Sequence, residues 1–202
     1  RVPGSLLEQV GALAAATAFA RNYEDDAPHL IYFPERPLSR HKLLSDVETA
    51  YKRWGRVFVT ICEGQLDEHG EAFGADVDRP ENPQHRLASN LAHTVARLVA
   101  QELKLRARSE RPSLLARSCS LLASESDREE AELVGRAAVL AAVAGDSGQM
   151  VGLRREDGAE YRCDPVLVPL AEVARRERKL PDEFQDESGV NVTAAYLQYA
   201  RP

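Results

Sequence analysis

The chain has 202 residues, 44% of them apolar, and a formal net charge of -6, which is enough apolar material for a core in one domain or two small ones. No stretch reaches the roughly 18 uninterrupted apolar residues of a membrane span, and the Ala-rich opening contains Glu8 and lacks a signal peptide's basic start, so no membrane is expected and a cytoplasmic location is the default. Basic residues scattered among acidic ones give no electrostatic footprint for nucleic acid, and three widely spaced cysteines, Cys62, Cys119 and Cys163, argue against a disulfide framework or a thiolate zinc site.

Along the chain, "LLEQVGALAAATAFAR" (Leu6 to Arg21) is dominated by helix formers, and Ser5 with Glu8 three residues later forms a capping-box pattern, which predicts a helix starting at Ser5. Its small Ala and Gly side chains suit close packing on a sheet. "HLIYF" (His29 to Phe33), ended by Pro34, reads as a strand buried on both faces. Ser39 to Arg53 reads as an amphipathic helix with Leu43, Val47 and Ala50 on one side, and "RVFVTIC" (Arg56 to Cys62) as a second strand. Strand, helix and strand within about thirty residues make the βαβ unit of a parallel sheet.

A polar loop is expected from Gln65 to Gln84, followed by a helix from about Leu87 to Leu103 with Leu91, Val95, Leu98 and Val99 at helical spacing. "LKLRARSERPSLLARS" after it shortens to a strand and a connecting loop. Ser126 is expected to open a further helix, with Asp127, Glu129 and Glu130 in the first turn where the dipole favours anions and Gly145 at its end. "QMVGLRRE" and "AEYRCD" around Asp157 and Gly158 read as a hairpin with an Asp-Gly turn. A short helix from about Leu170 to Arg178 precedes Pro181, and a polar tail follows, apolar only near Tyr196 and Tyr199. Alternating strands and helices point to a layered α/β fold.

Some local signals carry little chemistry. "GDSGQM" (Gly145 to Met150) has the letters around a protease serine, but Ser147 follows a helix end and lacks His and Asp in the required order, so Gly145 reads as a helix C-cap. His29, His41, His69, His85 and His93 show no metal-ligand spacing and read as surface or strand-flanking residues. "DEHGEAFGADVD" does not match a calcium loop.

Two features point to a ligand site. In open parallel sheets ligands bind beyond the carboxyl ends of strands, and "VFVTICEGQ" ends its strand on Cys62, Glu63 and Gly64. A carboxylate there accepts hydrogen bonds from sugar hydroxyls or binds a metal, while Gly64 lets the backbone turn close to the ligand. The alternative is that Glu63 caps a helix or pairs with a nearby arginine. Arg106, Arg108, Arg111 and Arg117 follow a predicted strand within a dozen residues and suit a phosphorylated small molecule. Alternatively they form surface salt bridges worth about 0 to 1 kcal/mol each.

The order of "RARSERPSLLARS" and "SDREEAELVGRAAVLAAVAGDSGQMVGL" resembles the phosphofructokinase family, especially its pyrophosphate-dependent branch. "LIYFPERP" is similar to that family's "P-E" strand end, "ICEG" to its "S-E-G", and the terminal "YARP" completes the likeness over nearly the whole chain. The resemblance implies a layered α/β/α, Rossmann-like domain with a mostly parallel sheet over residues 1–202, with a tail from about residue 181 returning to it. It implies that Glu63 contacts the sugar of fructose 6-phosphate, that Arg117 grips the 6-phosphate, and that Arg108 reaches the sugar phosphate of a neighbouring subunit. Tyr199 and Arg201 would lie near the site.

The same resemblance implies phosphoryl transfer from pyrophosphate or ATP, magnesium bridging the donor's phosphates, and a homo-oligomer. The family's donor loop and its Thr-x-Asp-x-Asp segment do not occur in these residues, so the chain, which opens on Arg1 and stops at Pro202, is expected to be the substrate-binding portion of a longer enzyme, with the base and most of the magnesium site elsewhere. The family's Met-Gly-Arg is replaced, and Ala116 stands beside Arg117 where the family has Gln. These departures support two alternatives, a non-catalytic regulatory domain of this type or a binding module for another phosphorylated metabolite.

Overall fold

A computed structural model describes residues 10–74, 91–112, 118–156, 158, 161–174 and 179–201. The fold is α/β, and the chain forms two compact units, a larger one of residues 9–111 with 179–201, and a smaller one built on residues 112–178 with 1–8 and 202. Among the described residues no helix is long and apolar enough to cross a membrane.

The larger unit centres on a parallel pair, β1 (Leu30–Ile31) and β2 (Val59–Thr60), with Leu30 opposite Val59 and Ile31 opposite Thr60. Backbone bonds extend it: His29 N and Leu30 N donate to Phe58 O, and Tyr32 N donates to Thr60 O at 2.9 Å. The other edge of β1 is also used, because Ile31 N donates to Val190 O at 2.9 Å. Alternating side chains then enter two different cores, Leu30 and Tyr32 one, Ile31 and Phe33 the other, as a strand with both faces covered requires.

The first core is closed by helices α2 (Arg40–Trp54) and α3 (Leu91–Glu102). In α2 the Ser39 hydroxyl accepts from Lys42 N and Gly55, at φ 68°, ends the helix, while Leu43, Val47 and Ala50 are the buried stripe, matching the sequence pattern. The stripe of α3 is Leu91, Val95, Leu98 and Val99, again at the expected positions. Tyr32 Oη donates to Asp46, which also takes Lys42 Nζ, so a polar clamp joins β1 to α2. The second core lies under α1 (Val10–Ala16) and the 3-10 turn Thr17–Ala20. Ala14, Ala15 and Ala18 let this helix sit close to Ile31 and Phe33, and Leu180, Phe184 and Tyr196 of the tail complete the layer. Tyr196 lies on α6 (Ala194–Ala200) and donates to Ala12 O. The expected start of α1 at Ser5 and Glu8 lies outside the described residues, as do residues 75–90 of the expected polar loop and of the start of the next helix.

The strand expected at "LKLRARS" does not form a ladder: residues 103–110 carry no strand assignment, although half-buried and exposed residues alternate along them. Leu103, Leu105 and Ala107 pack on the first core. The period-2 pattern was real, but it is satisfied by side-chain burial alone, and Lys104 at φ 57° turns the chain out of α3.

In the smaller unit the 20-residue helix α4 (Glu125–Ala144) is capped by Ser124, whose hydroxyl accepts from Asp127 N, and not by Ser126 as the sequence suggested. Both serines precede an acidic turn, and the earlier one has the extended backbone (ψ 154°) that a cap needs. Gly145, at φ 93°, is the C-cap, so "GDSG" is a helix end. Strands β3 (Gln149–Arg155) and β4 (Cys163–Pro169) pair antiparallel. With Arg155 opposite Cys163 and Gln149 opposite Pro169, the second strand lies further along than "AEYRCD" suggested. Asp157 itself lies outside the described residues. A single turn, α5 (Leu170–Val173), follows β4.

Candidate functional site

The run Val57 to Gln65 ends in a tight turn. Gln65 N donates to Cys62 O at 3.1 Å, which makes Glu63 and Gly64 the central pair of a four-residue turn just beyond β2. Gly64 does not have the left-handed φ expected of a glycine chosen to make a turn, and a Cβ there would lie 3.4 Å from Pro34 Cβ. The turn is therefore open to ordinary residues in backbone terms, with Pro34 close on one side.

What holds this turn is Gln65, a fully buried polar side chain. Its Nε2 donates to Arg36 O at 2.7 Å and to Leu66 O at 3.2 Å. The backbone adds Leu38 N to Leu66 O and Phe73 N to Gln65 O. The loops after β1 and after β2 are thus tied to each other at the carboxyl ends of the two parallel strands. Beside them Glu35 accepts from Leu180 N at 2.8 Å and presses on α1, where a Cβ on Gly11 would lie 2.5 Å from its Oε1. A larger residue at position 11 would require the Glu35 carboxylate to shift.

Glu63 projects from this frame and takes Arg111 Nη2 on Oε1 at 2.6 Å, with 49% and 53% of the two side chains exposed. The pairing of Glu63 with an arginine is therefore realised, and the partner comes from the arginine group seen in the sequence. An ion pair this exposed is worth about 0 to 1 kcal/mol, so a ligand's hydroxyl or phosphate competes for both partners at small cost. Carboxylate and guanidinium side by side offer acceptors to sugar hydroxyls and forked donors to a phosphate. Cys62, next in line, is no nucleophile: burial, with the Glu35 and Glu63 carboxylates nearby, pushes its thiol up to about 12, so it stays protonated at neutral pH.

Of the other expected site residues, Arg108 is exposed on the extended segment after α3. Tyr199 and Arg201 belong to the aromatic group of the tail: the Tyr199 ring lies 5.0 Å from Phe184 and the Arg201 guanidinium 5.8 Å from the Phe19 ring. Arg117 lies outside the described residues. Arg111 was visible as a member of the arginine group, but its contact with Glu63, 48 residues away, has no local signature. Among the described residues there is no group of three or more His, Cys, Asp or Glu side chains able to hold a metal ion.

No protein-family model matches the chain. It is 35% identical over 199 residues to a pyrophosphate--fructose 6-phosphate 1-phosphotransferase of Rhodospirillum rubrum and 33% identical over 192 residues to one of Halomonas elongata, in each case over 95% of this chain. It is 30% identical over 189 residues to a sulfofructose kinase of Alkalicoccus urumqiensis, over 93% of this chain. The chain covers 49%, 46% and 48% of these three proteins, so it spans about half the length of the curated relatives it matches. Among solved structures, the pyrophosphate-dependent phosphofructokinases of Marinobacter aquaeolei and Nitrosospira multiformis superpose with TM-scores of 0.75 and 0.77 at 31% and 29% identity, over 95% of this chain and 45% and 44% of theirs. Over nearly its whole length this chain is similar, in sequence and in backbone, to about half of a pyrophosphate-dependent phosphofructokinase.

Proposed function

We propose that the chain is the substrate-binding half of a phosphotransferase that moves a phosphoryl group from pyrophosphate to the 1-hydroxyl of fructose 6-phosphate. The observation that carries this reading is the exposed Glu63–Arg111 pair, held beyond the carboxyl end of β2, in a chain whose relatives bear that activity in their names. Glu63 accepts hydrogen bonds from sugar hydroxyls, Arg111 and Arg117 supply positive charge toward the 6-phosphate, and Arg108 extends that field, in an oligomer toward a neighbouring subunit. Tyr199 and Arg201 bound the site from the tail.

In the reaction the 1-hydroxyl oxygen attacks a phosphorus of pyrophosphate, the bridging P–O bond breaks, orthophosphate leaves, and the hydroxyl proton passes to a base that this chain does not supply. Work of this kind is positioning and charge neutralisation, and the chain's share is to hold the sugar phosphate still. Magnesium bridging the phosphates of the donor would be held mainly by residues outside this chain.

The test is calorimetric titration of fructose 6-phosphate into the longest polypeptide containing this chain, with Glu63→Ala and Arg117→Ala beside it. Charge-assisted hydrogen bonds are worth about 1.5 to 3 kcal/mol each, so each substitution is expected to weaken binding by about 10- to 150-fold. Absence of saturable binding by the parent protein, or binding indifferent to both substitutions, overturns the assignment.

A further inference from the structure

Among the largest fully buried side chains, Phe33, Ile31, Leu38, Leu43 and Gln65, only the last is polar. Its two partners are both carbonyls, Arg36 O and Leu66 O, which fixes the orientation of the amide, because only the nitrogen end donates. The oxygen, Oε1, is then buried with no partner. A methionine, of the same length and without an amide, fills such a place and strands no acceptor. Burial alone therefore does not account for the amide, and an unsatisfied polar group that persists in a fold points to a role outside stability.

That role lies at the carboxyl ends of the parallel pair. The two carbonyls belong to different loops, Arg36 to the one after β1 and Leu66 to the one after β2, and ligands of open parallel sheets sit beyond those ends. Two residues before Gln65 stands Glu63, in a turn closed by the bond from Gln65 N to Cys62 O. Among the described residues little else fixes Glu63. Its neighbour Gly64 has only Pro34 within contact of a built Cβ, and its ion pair with Arg111 is exposed and weak. We propose that Gln65 is the positioning residue of this site: its amide locks the loop after β2 to the loop after β1 and so sets where the Glu63 carboxylate stands, without touching a ligand itself. This rests on the reading of Glu63 as an acceptor for sugar hydroxyls. A positioned group displaced by about 1 Å costs a reaction on the order of 100-fold, which is what the lock prevents. The orphaned oxygen follows from the need for a double donor at that point, since an amide brings its acceptor with it.

The test is Gln65→Met in the longest polypeptide containing this chain, read in three ways. Calorimetric titration with fructose 6-phosphate is expected to show binding weakened about tenfold. The midpoint of urea unfolding is expected to move by less than about 0.5 M, because two donated bonds and one stranded acceptor are removed together. Nitrogen-15 spectra of the Arg111 guanidinium, identified by its loss in Arg111→Lys, are expected to shift toward those of Glu63→Gln, which has no carboxylate at position 63. An unmoved Arg111 signal overturns the proposal whatever the ligand result, and so does sugar phosphate binding as tight as the parent's. A loss of urea stability in step with the loss of binding makes Gln65 a structural residue and overturns it as well. If the parent itself does not bind fructose 6-phosphate, the substrate reading alone fails, and the Arg111 signal decides on Gln65.

Discussion

His29 is expected to make the larger unit acid-sensitive well above the range in which carboxylates titrate. Its side chain is 9% exposed, its Nδ1 accepts from Phe58 N at 2.9 Å, and its ring lies 5.1 Å from Trp54. Acceptance at Nδ1 demands the neutral imidazole with its hydrogen on Nε2, and Nε2 is buried without a partner. Burial first, and then the positive charge of Arg56, hold the His29 pKa below its ordinary value, with Arg21 adding and Asp25 opposing. A depressed folded pKa means that the unfolded chain binds the proton more readily. Stability is therefore complete above the unfolded value of about 6.5 and declines as pH falls from there toward the folded pKa.

The slope contributed by one such group is at most about 1.4 kcal/mol per pH unit. Protonation turns the acceptor into a donor facing Phe58 N–H, and a stranded buried donor costs about 1 to 3 kcal/mol. The assay is urea denaturation from pH 8 to pH 5 followed through Trp54, the single tryptophan, which reports on this contact directly. His29→Asn keeps an acceptor in nearly the place of Nδ1 but does not titrate, and is expected to flatten the profile in that window. His29→Ala is expected to be destabilised by about 1 to 3 kcal/mol at pH 8 through the lost hydrogen bond alone. Equal slopes for the parent and His29→Asn would refute the reasoning.

Two glycines provide an internal control for backbone strain and crowding. Gly55 (φ 68°) has open space around a built Cβ, whereas at Gly74 (φ 74°) that Cβ would lie 2.9 Å from Thr94 Cγ2. Gly55→Ala is expected to cost about 1 to 2 kcal/mol and Gly74→Ala a further 1 to 3, with Thr94→Ala relieving the excess in a double-mutant cycle. Equal costs by thermal denaturation would contradict the packing described. Glu63→Gln and Arg111→Ala are each expected to change stability by less than about 1 kcal/mol; a larger loss in chemical denaturation would make the pair a structural element instead of a ligand-accessible one.

Features governed by neighbours in sequence were legible from the residues. The stripe Leu43, Val47, Ala50 and the stripe Leu91, Val95, Leu98, Val99 follow from helical periodicity, and Gly145 ends α4 because an αL position favours glycine. The two-sided burial of β1 was visible in "LIYF" because no polar residue interrupts it. What was not legible depends on partners remote in sequence. Residues 103–110 have a strand's alternation, yet a ladder needs an adjacent backbone, which periodicity does not reveal. The hairpin's register is set by β4 residues running to Pro169, against which a favourable Asp-Gly pair has little weight. The place of Glu63 just beyond a strand was legible, whereas its pairing with Arg111 follows from the path the chain takes after α3.

The two edges of β1 are closed at very different stages of the chain. Phe58 and Thr60 cover one side soon after the strand is made, but the other waits for Val190, and the second core waits for Leu180, Phe184 and Tyr196. The smaller unit is thus an insertion within the larger one. On the ribosome, which makes domains in order from the N-terminus, residues 9–111 must leave the exit tunnel with Ile31 and Phe33 uncovered and remain so while the whole insertion is synthesised. A chain lacking residues 179–201 would keep α2, α3 and their core but stay open beneath α1, so the second core closes only after the insertion has been made.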